Sequence, residues 1–264
     1  MLRIIVAPIG VVAGIILGAM VWPEFFNLPS LAVTLGGAVA VTYLSYSRKQ
    51  LFDLMQAIRS LFIEKQQSSQ DHLEELARLT RLYRLEGLRG LESQERSLAD
   101  PFVRQTVGML VDLCKEDKIH ARLQHQLADV LRRNEISRQI LLTLGRLLPS
   151  FGLIGTLVGM VLLLKNISGQ DAQSLPSALG LAVLTTLYGA VLANVFVAPL
   201  AARLHAAAVE KEARMRLTID WVIWIVRGEA ATTIASKLAV FLPAADGAMR
   251  REQDWSPLIL TVQR

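Results

Sequence analysis

The stretch Leu147-Leu148-Pro149-Ser150-Phe151-Gly152-Leu153-Ile154-Gly155-Thr156-Leu157-Val158-Gly159-Met160-Val161-Leu162-Leu163-Leu164 carries no charge and is bounded by Arg146 and Lys165. A helix that crosses a bilayer needs about 20 mostly apolar residues, because the hydrocarbon is roughly 30 Å thick and each helical residue rises about 1.5 Å. This run meets the need. So do Ile4 to Trp22, then Leu28 to Ser47 after a short turn at Pro23-Glu24-Phe25-Phe26-Asn27, and the long run between Asp171 and Arg203. The reading is an all-α integral membrane protein with four transmembrane helices in two hairpins. Composition agrees: 52% of the 264 residues are apolar and only 19% charged, with a mean hydropathy of +0.39, too oily for a soluble protein of this size.

The same composition excludes several classes. One cysteine, Cys114, makes neither an intrachain disulfide nor a thiolate metal cluster, and His72, His120, His125 and His205 have no ligand spacing. A net charge of +5 with 6% aromatics, not gathered into one basic stripe, gives no nucleic-acid footprint. A cleaved signal peptide is the competing reading of the N-terminus, but the apolar run is too long and no small-x-small site ends it. There is no nucleophile elbow, phosphate loop, metal box or carboxylate pair, so an enzyme is not expected.

Lys and Arg bias sets orientation. Arg3, Arg48, Lys49, Arg59, Arg132, Arg133, Arg138, Arg146, Arg203, Lys211, Arg214 and Arg216 fall on one side of the four runs, and the opposite connections hold Lys165 alone. Both termini and the large loop are therefore expected in the cytoplasm, with Trp22, Phe25 and Phe26 at the outer interface. Four segments follow: a transmembrane hairpin at 1–47, a cytoplasmic helical domain at 48–146, a second hairpin at 147–202, and a C-terminal cytoplasmic helix and tail at 203–264. Ile119, Leu123, Leu127, Leu131, Ile140, Leu141 and Leu144 recur at helical spacing, marking an amphipathic helix that feeds the third span. Helices three and four are thus expected to extend into the cytoplasm. The tail from Pro243 has weak periodicity.

Within lipid, helices associate by close backbone approach through small residues. Gly152, Gly155 and Gly159 on the third span, and Gly180, Ala182, Gly189, Ala190 and Ala193 on the fourth, offer such faces. They either join this hairpin's own helices or also pack a partner's helix. Thr156, Thr185, Thr186 and Asn194 are polar groups at membrane depth: Thr156 lies about 15 Å beyond Arg146 and Thr186 about 25 Å beyond Arg203. Their hydroxyls either bond their own preceding turn or face a lumen and serve a partly dehydrated cation or a water chain. No Asp, Glu, Lys, Arg or His lies inside any span. Ion coupling normally needs an ionisable group in the membrane, so another subunit would have to bring the carboxylate. Pro149 and Pro199 frame the inner ends of the second hairpin and are either boundaries or hinges.

Pro149-Ser150-Phe151-Gly152-Leu153-Ile154-Gly155-Thr156-Leu157-Val158-Gly159, with Leu184-Thr185-Thr186-Leu187-Tyr188-Gly189 and Ala198-Pro199-Leu200-Ala201, resembles the MotA/PomA flagellar stator A subunits of the MotA/TolQ/ExbB family. The resemblance covers most of the chain except its last twenty or so residues. It implies a homo-oligomer, a pentamer of this chain around a dimer of a MotB/PomB-type subunit, set among the lipids of the bacterial inner membrane. The partner's single helix would supply the transmembrane aspartate. The coupling ion would be a proton or sodium, with no other cofactor. One charge crossing 100 mV releases about 2.3 kcal/mol.

By the same resemblance Thr156 and Thr186, with neighbouring Thr185, lie on the ion pathway, and Pro149 and Pro199 match paired prolines that couple conformation. Arg84-Leu85-Glu86-Gly87-Leu88-Arg89-Gly90-Leu91-Glu92 resembles the torque motif, implying that Arg84 and Glu92, with Arg81 and Arg89 in reserve, engage the rotor protein FliG. Exposed charges suit a contact that forms and breaks with each step. Asn27 departs from the pattern, standing where PomA-type chains carry an aspartate. Two readings compete. A TolQ/ExbB-like energiser usually has three spans and an outside N-terminus, and a non-conducting membrane scaffold fits the acid-free spans alone.

Overall fold

A computed structural model describes residues 26–63, 69–168 and 175–241. The expected first span, Ile4 to Trp22, and the tail from Pro243 lie outside the described residues. Everything described is helical or turn: α1 Leu28–Ser45, α2 Arg48–Ile63, α3 Ser69–Glu86, α4 Leu88–Glu95, α5 Pro101–Val111, α6 Glu116–Ser168, α7 Leu175–Val226 and α8 Ala231–Ala239. Three of them, α1, α6 and α7, are long and apolar enough to cross a membrane.

The chain falls into two compact units, whose boundary lies inside both α6 and α7. The first takes residues up to Ile63 and Arg133–Ala206, the second Glu64–Arg132 and the chain from Ala207 onward. These differ from the composition-based segments. Residues 48–63 and 133–146, read as part of the loop domain, belong with the span helices. Leu51, Leu54, Ala57, Ile58 and Leu61 of α2 share an apolar cluster with Ile136, Ile140, Leu141, Ala201 and Leu204. Charge content could not show that, because α2 is amphipathic and only packing tells which body its apolar face joins.

In the first unit, α1 starts on Asn27, whose Oδ1 accepts the Ser30 N–H at 3.1 Å, with Pro29 in the first turn where its missing donor is harmless. The helix widens into a π turn at Ala32–Gly36 and ends where Tyr46 becomes extended. There Ser47-Arg48-Lys49-Gln50 forms a capping box: the Ser47 N–H donates to Gln50 Oε1 at 2.9 Å, and the Gln50 N–H reaches back to Ser47 Oγ at 3.4 Å. α2 therefore begins directly below the span.

The second unit closes around Leu76, Leu79, Leu91, Val103, Val107, Ile119, Leu123, Ile219, Trp221 and Ile234, all buried. Trp221 is wholly buried, and its indole N–H donates to Thr80 Oγ1 at 2.9 Å, so burial leaves its polar tip satisfied. α3 and α4 are separated by Gly87, whose φ of 64° is the left-handed conformation that glycine adopts without strain. α5 opens on Asp100, which accepts the Phe102 N–H at 2.8 Å, followed by Pro101.

Candidate functional site

The apolar faces of α6 and α7 meet through glycines. A Cβ added at Gly159 would lie 2.7 Å from Ala182 Cβ and 2.8 Å from the Ala178 carbonyl; one at Gly152 would lie 3.0 Å from the Thr185 carbonyl; one at Gly189 would lie 2.6 Å from the Leu148 carbonyl. At Gly155 the neighbour is the Thr185 side chain, at 2.5 Å. Gly152, Gly155, Gly159 and Gly189 thus join the hairpin's own two helices. α1 packs onto the same pair: Gly37 lies against the Phe151 ring, Thr34 Oγ1 donates to the Thr185 carbonyl at 3.2 Å, and the Asn27 N–H donates to Tyr188 Oη at 3.0 Å. Asn27 therefore caps a helix and ties it to α7.

The structure separates the three threonines. Thr156 is half-buried and Thr186 exposed, and their hydroxyls donate to carbonyls of one turn of α6: Thr156 to Leu153 at 2.6 Å, Thr186 to Gly152 at 3.3 Å. With each proton taken by a carbonyl, the oxygen lone pairs remain free to accept from water or to face a cation. Thr185 is placed differently from the other two. It is completely buried, its methyl and hydroxyl wedged against Gly155 and its Oγ1 donating to Leu181 and Ala182. Adjacent helical residues point about 100° apart, so Thr185 and Thr186 meet different surroundings in this chain. That signal was in the sequence. Asn194 is exposed, its Nδ2 donating to the Ala190 carbonyl at 2.9 Å, which leaves its Oδ1 on the exposed face.

Neither proline ends a helix. α6 runs unbroken through Pro149, and Pro149 and the Leu148 carbonyl lie against Gly189. Pro199 sits at the second position after a π turn, Leu192–Val197, inside α7. A proline ring collides with the carbonyl one turn earlier and offers that carbonyl no donor. A widened turn immediately before it relieves both, a feature that apolar periodicity does not reveal.

Arg81, Arg84, Arg89 and Glu92 are all exposed, and among the described residues none has an ion-pair partner. They do not share one helix. Arg81 and Arg84 end α3, and Arg89 and Glu92 begin α4 beyond the Gly87 turn, so their spacing reflects a helix–turn–helix corner. One buried ionisable group went unnoticed in the sequence. His72 is buried, its Nε2 is 2.9 Å from Thr218 Oγ1, and Thr218 donates its proton to the Arg214 carbonyl at 3.0 Å. Nε2 must therefore be the donor, and Nδ1 is buried without a partner. Burial, with a smaller contribution from Arg214 and against the opposing field of Asp100, holds the imidazole pKa below 6.5.

Residues 94–217, which include α6 and most of α7, match the MotA/TolQ/ExbB proton channel family. Over that stretch the chain is similar to this family. That is a family of channels, not of enzymes. Among MotA/TolQ/ExbB relatives, an uncharacterised protein YtxD of Bacillus subtilis is 29% identical over 88% of this chain and 85% of its own length. The chemotaxis protein PomA of Vibrio alginolyticus is 27% identical over 88% and 90%. The fold also matches a chain in the flagellar MotAB stator complex of Bacillus subtilis, with a TM-score of 0.79, 22% identity, and coverage of 93% of this chain and 96% of that one.

Proposed function

We propose that the chain is the A subunit of an ion-driven flagellar motor stator. It forms, with a MotB/PomB-type subunit, a proton or sodium channel that converts ion flow into torque on the rotor. The observation that carries this reading is the α6–α7 pair, in which the Thr156 and Thr186 hydroxyls donate to carbonyls of one turn of α6, within spans that hold no acid. Such a wall solvates a cation but neither binds nor releases a proton by itself, so it calls for a carboxylate from a second chain. The relatedness to PomA and the likeness to the MotAB stator complex support the same partner.

In this reading a pentamer of the chain surrounds a B dimer in the bacterial inner membrane. Ile4 to Trp22 makes a fourth span, both termini are cytoplasmic, Pro149 and Pro199 transmit the conformational step, and Arg84 and Glu92 engage FliG. Co-expression with a MotB-type partner is expected to restore swimming to a stator-deleted bacterium; no rescue by any compatible partner would overturn the flagellar assignment. Swimming speed against sodium concentration, with and without a protonophore, identifies the ion.

A further inference from the structure

The second face of α2 is unaccounted for by the fold. At about 100° per residue, Arg48, Phe52, Met55, Arg59, Phe62 and Ile63 fall in one arc, flanked by Lys49, on the side away from the face that packs on the span helices. Its apolar members are open: Phe52 is 69%, Met55 64%, Phe62 62% and Ile63 67% exposed. The one carboxylate of the helix, Asp53, lies outside the arc. A further cation joins from α7, where the Arg203 guanidinium lies 5.7 Å from the centroid of the Phe62 ring.

The helix is tied to the span helices near both ends: just before its start Tyr46 Oη lies 2.9 Å from Thr143 Oγ1 on α6, and at its end the Phe62 ring meets Arg203 of α7. A helix that follows directly on a membrane span and exposes aromatics among bases has the character of an interfacial helix.

We propose that the exposed face of α2, with Arg203, is a docking surface for the acidic phospholipids of the cytoplasmic leaflet, Phe52, Met55, Phe62 and Ile63 entering the acyl boundary and Arg48, Lys49, Arg59 and Arg203 taking headgroup phosphates. Charge complementarity favours an acidic lipid surface, since the arc carries bases and no acid. The apolar surface is also continuous with the foot of the span, where Leu44 is 84% exposed. The inference rests on membrane placement of α1 and not on motor activity.

The test uses the full chain carrying Cys114→Ser, with nitroxide labels on Phe52→Cys, Phe62→Cys and, as a mid-span control, Val39→Cys. It is reconstituted in phosphatidylcholine vesicles with and without phosphatidylglycerol. Labels at Phe52 and Phe62 are expected to be accessible to oxygen and shielded from a water-soluble nickel chelate, with shallower depth than Val39. The purified chain is expected to retain phosphatidylglycerol over phosphatidylcholine, and the preference to fall about fivefold for each of Arg48→Gln, Lys49→Gln and Arg59→Gln. Nickel access at both sites would place the face in water and overturn the proposal. Exclusion of both reagents would mean that another copy covers it, which also overturns it, as would lipid retention indifferent to the three substitutions. Failure of the Val39 control would instead strike at the membrane reading of α1.

Discussion

Thr185 and Thr186 are neighbours in sequence with unlike environments, and this makes them a sharp test of the candidate pathway. Thr186→Val removes an exposed oxygen without changing shape, so ion flow through the assembled complex is expected to fall at least tenfold with assembly intact. Thr185→Val removes a hydroxyl that only bonds its own turn, so flow is expected to change less than twofold. Equal effects in a flux assay would refute the separation. At His72 the consequence is one of pH. A base whose folded pKa is depressed contributes stability that is present above its unfolded value, near 6.5, and lost as pH falls toward the folded one. The wild-type chain should therefore lose melting temperature on going from pH 7.5 to 5.5, and His72→Gln, which keeps a donor for Thr218 but does not titrate, should give a flatter profile. Parallel profiles would show that the buried Nδ1 does not govern acid stability.

At the scale of the element, the hairpin depends on glycine. No side chain fits at Gly159, where the contacts are backbone and a short alanine, so Gly159→Leu is expected to drive α6 from α7 and cost about 1–3 kcal/mol or more, read as loss of the assembled complex in detergent. Gly180 has open space around it, so Gly180→Ala is expected to leave assembly unchanged. Run lengths and absence of charge made the existence of α1, α6 and α7 legible, and the amphipathic repeat from Ile119 predicted that α6 enters its span as one helix. The π turns, the unbroken course through Pro149, and the division of labour between Gly155 and Thr185 were not legible. They depend on which residues of a second helix lie opposite, and periodicity in one helix carries no record of that.

For the molecule as a whole, the proposed function makes the charged corner at Arg84 and Glu92 the point of torque delivery. Charge reversal at either residue is expected to reduce torque severalfold, with partial recovery when opposite reversals are made on FliG. Unchanged motility in the single and double reversals would remove the rotor assignment. Because the four charges sit on a corner rather than on one helix, Gly87→Val is expected to impair torque as much as either reversal, through a strained backbone that moves α4 relative to α3. Measured swimming speed at normal expression would decide it.

The sequence by itself determined the solvent of this protein. Charge-free runs of membrane length have nowhere else to go, and the lack of an acid within them is why the proposed ion route calls for a second chain. The residues of the glycine face and the exposed charged corner were equally open to reading, because they follow from spacing along one helix or from the cost of burying charge. Only the tertiary structure decided which threonine is wedged against Gly155 and which is exposed, which body α2 joins, and where His72 is sealed. Each of those outcomes depends on the rotation of one helix against another, and that rotation is set by contacts between residues far apart in the chain.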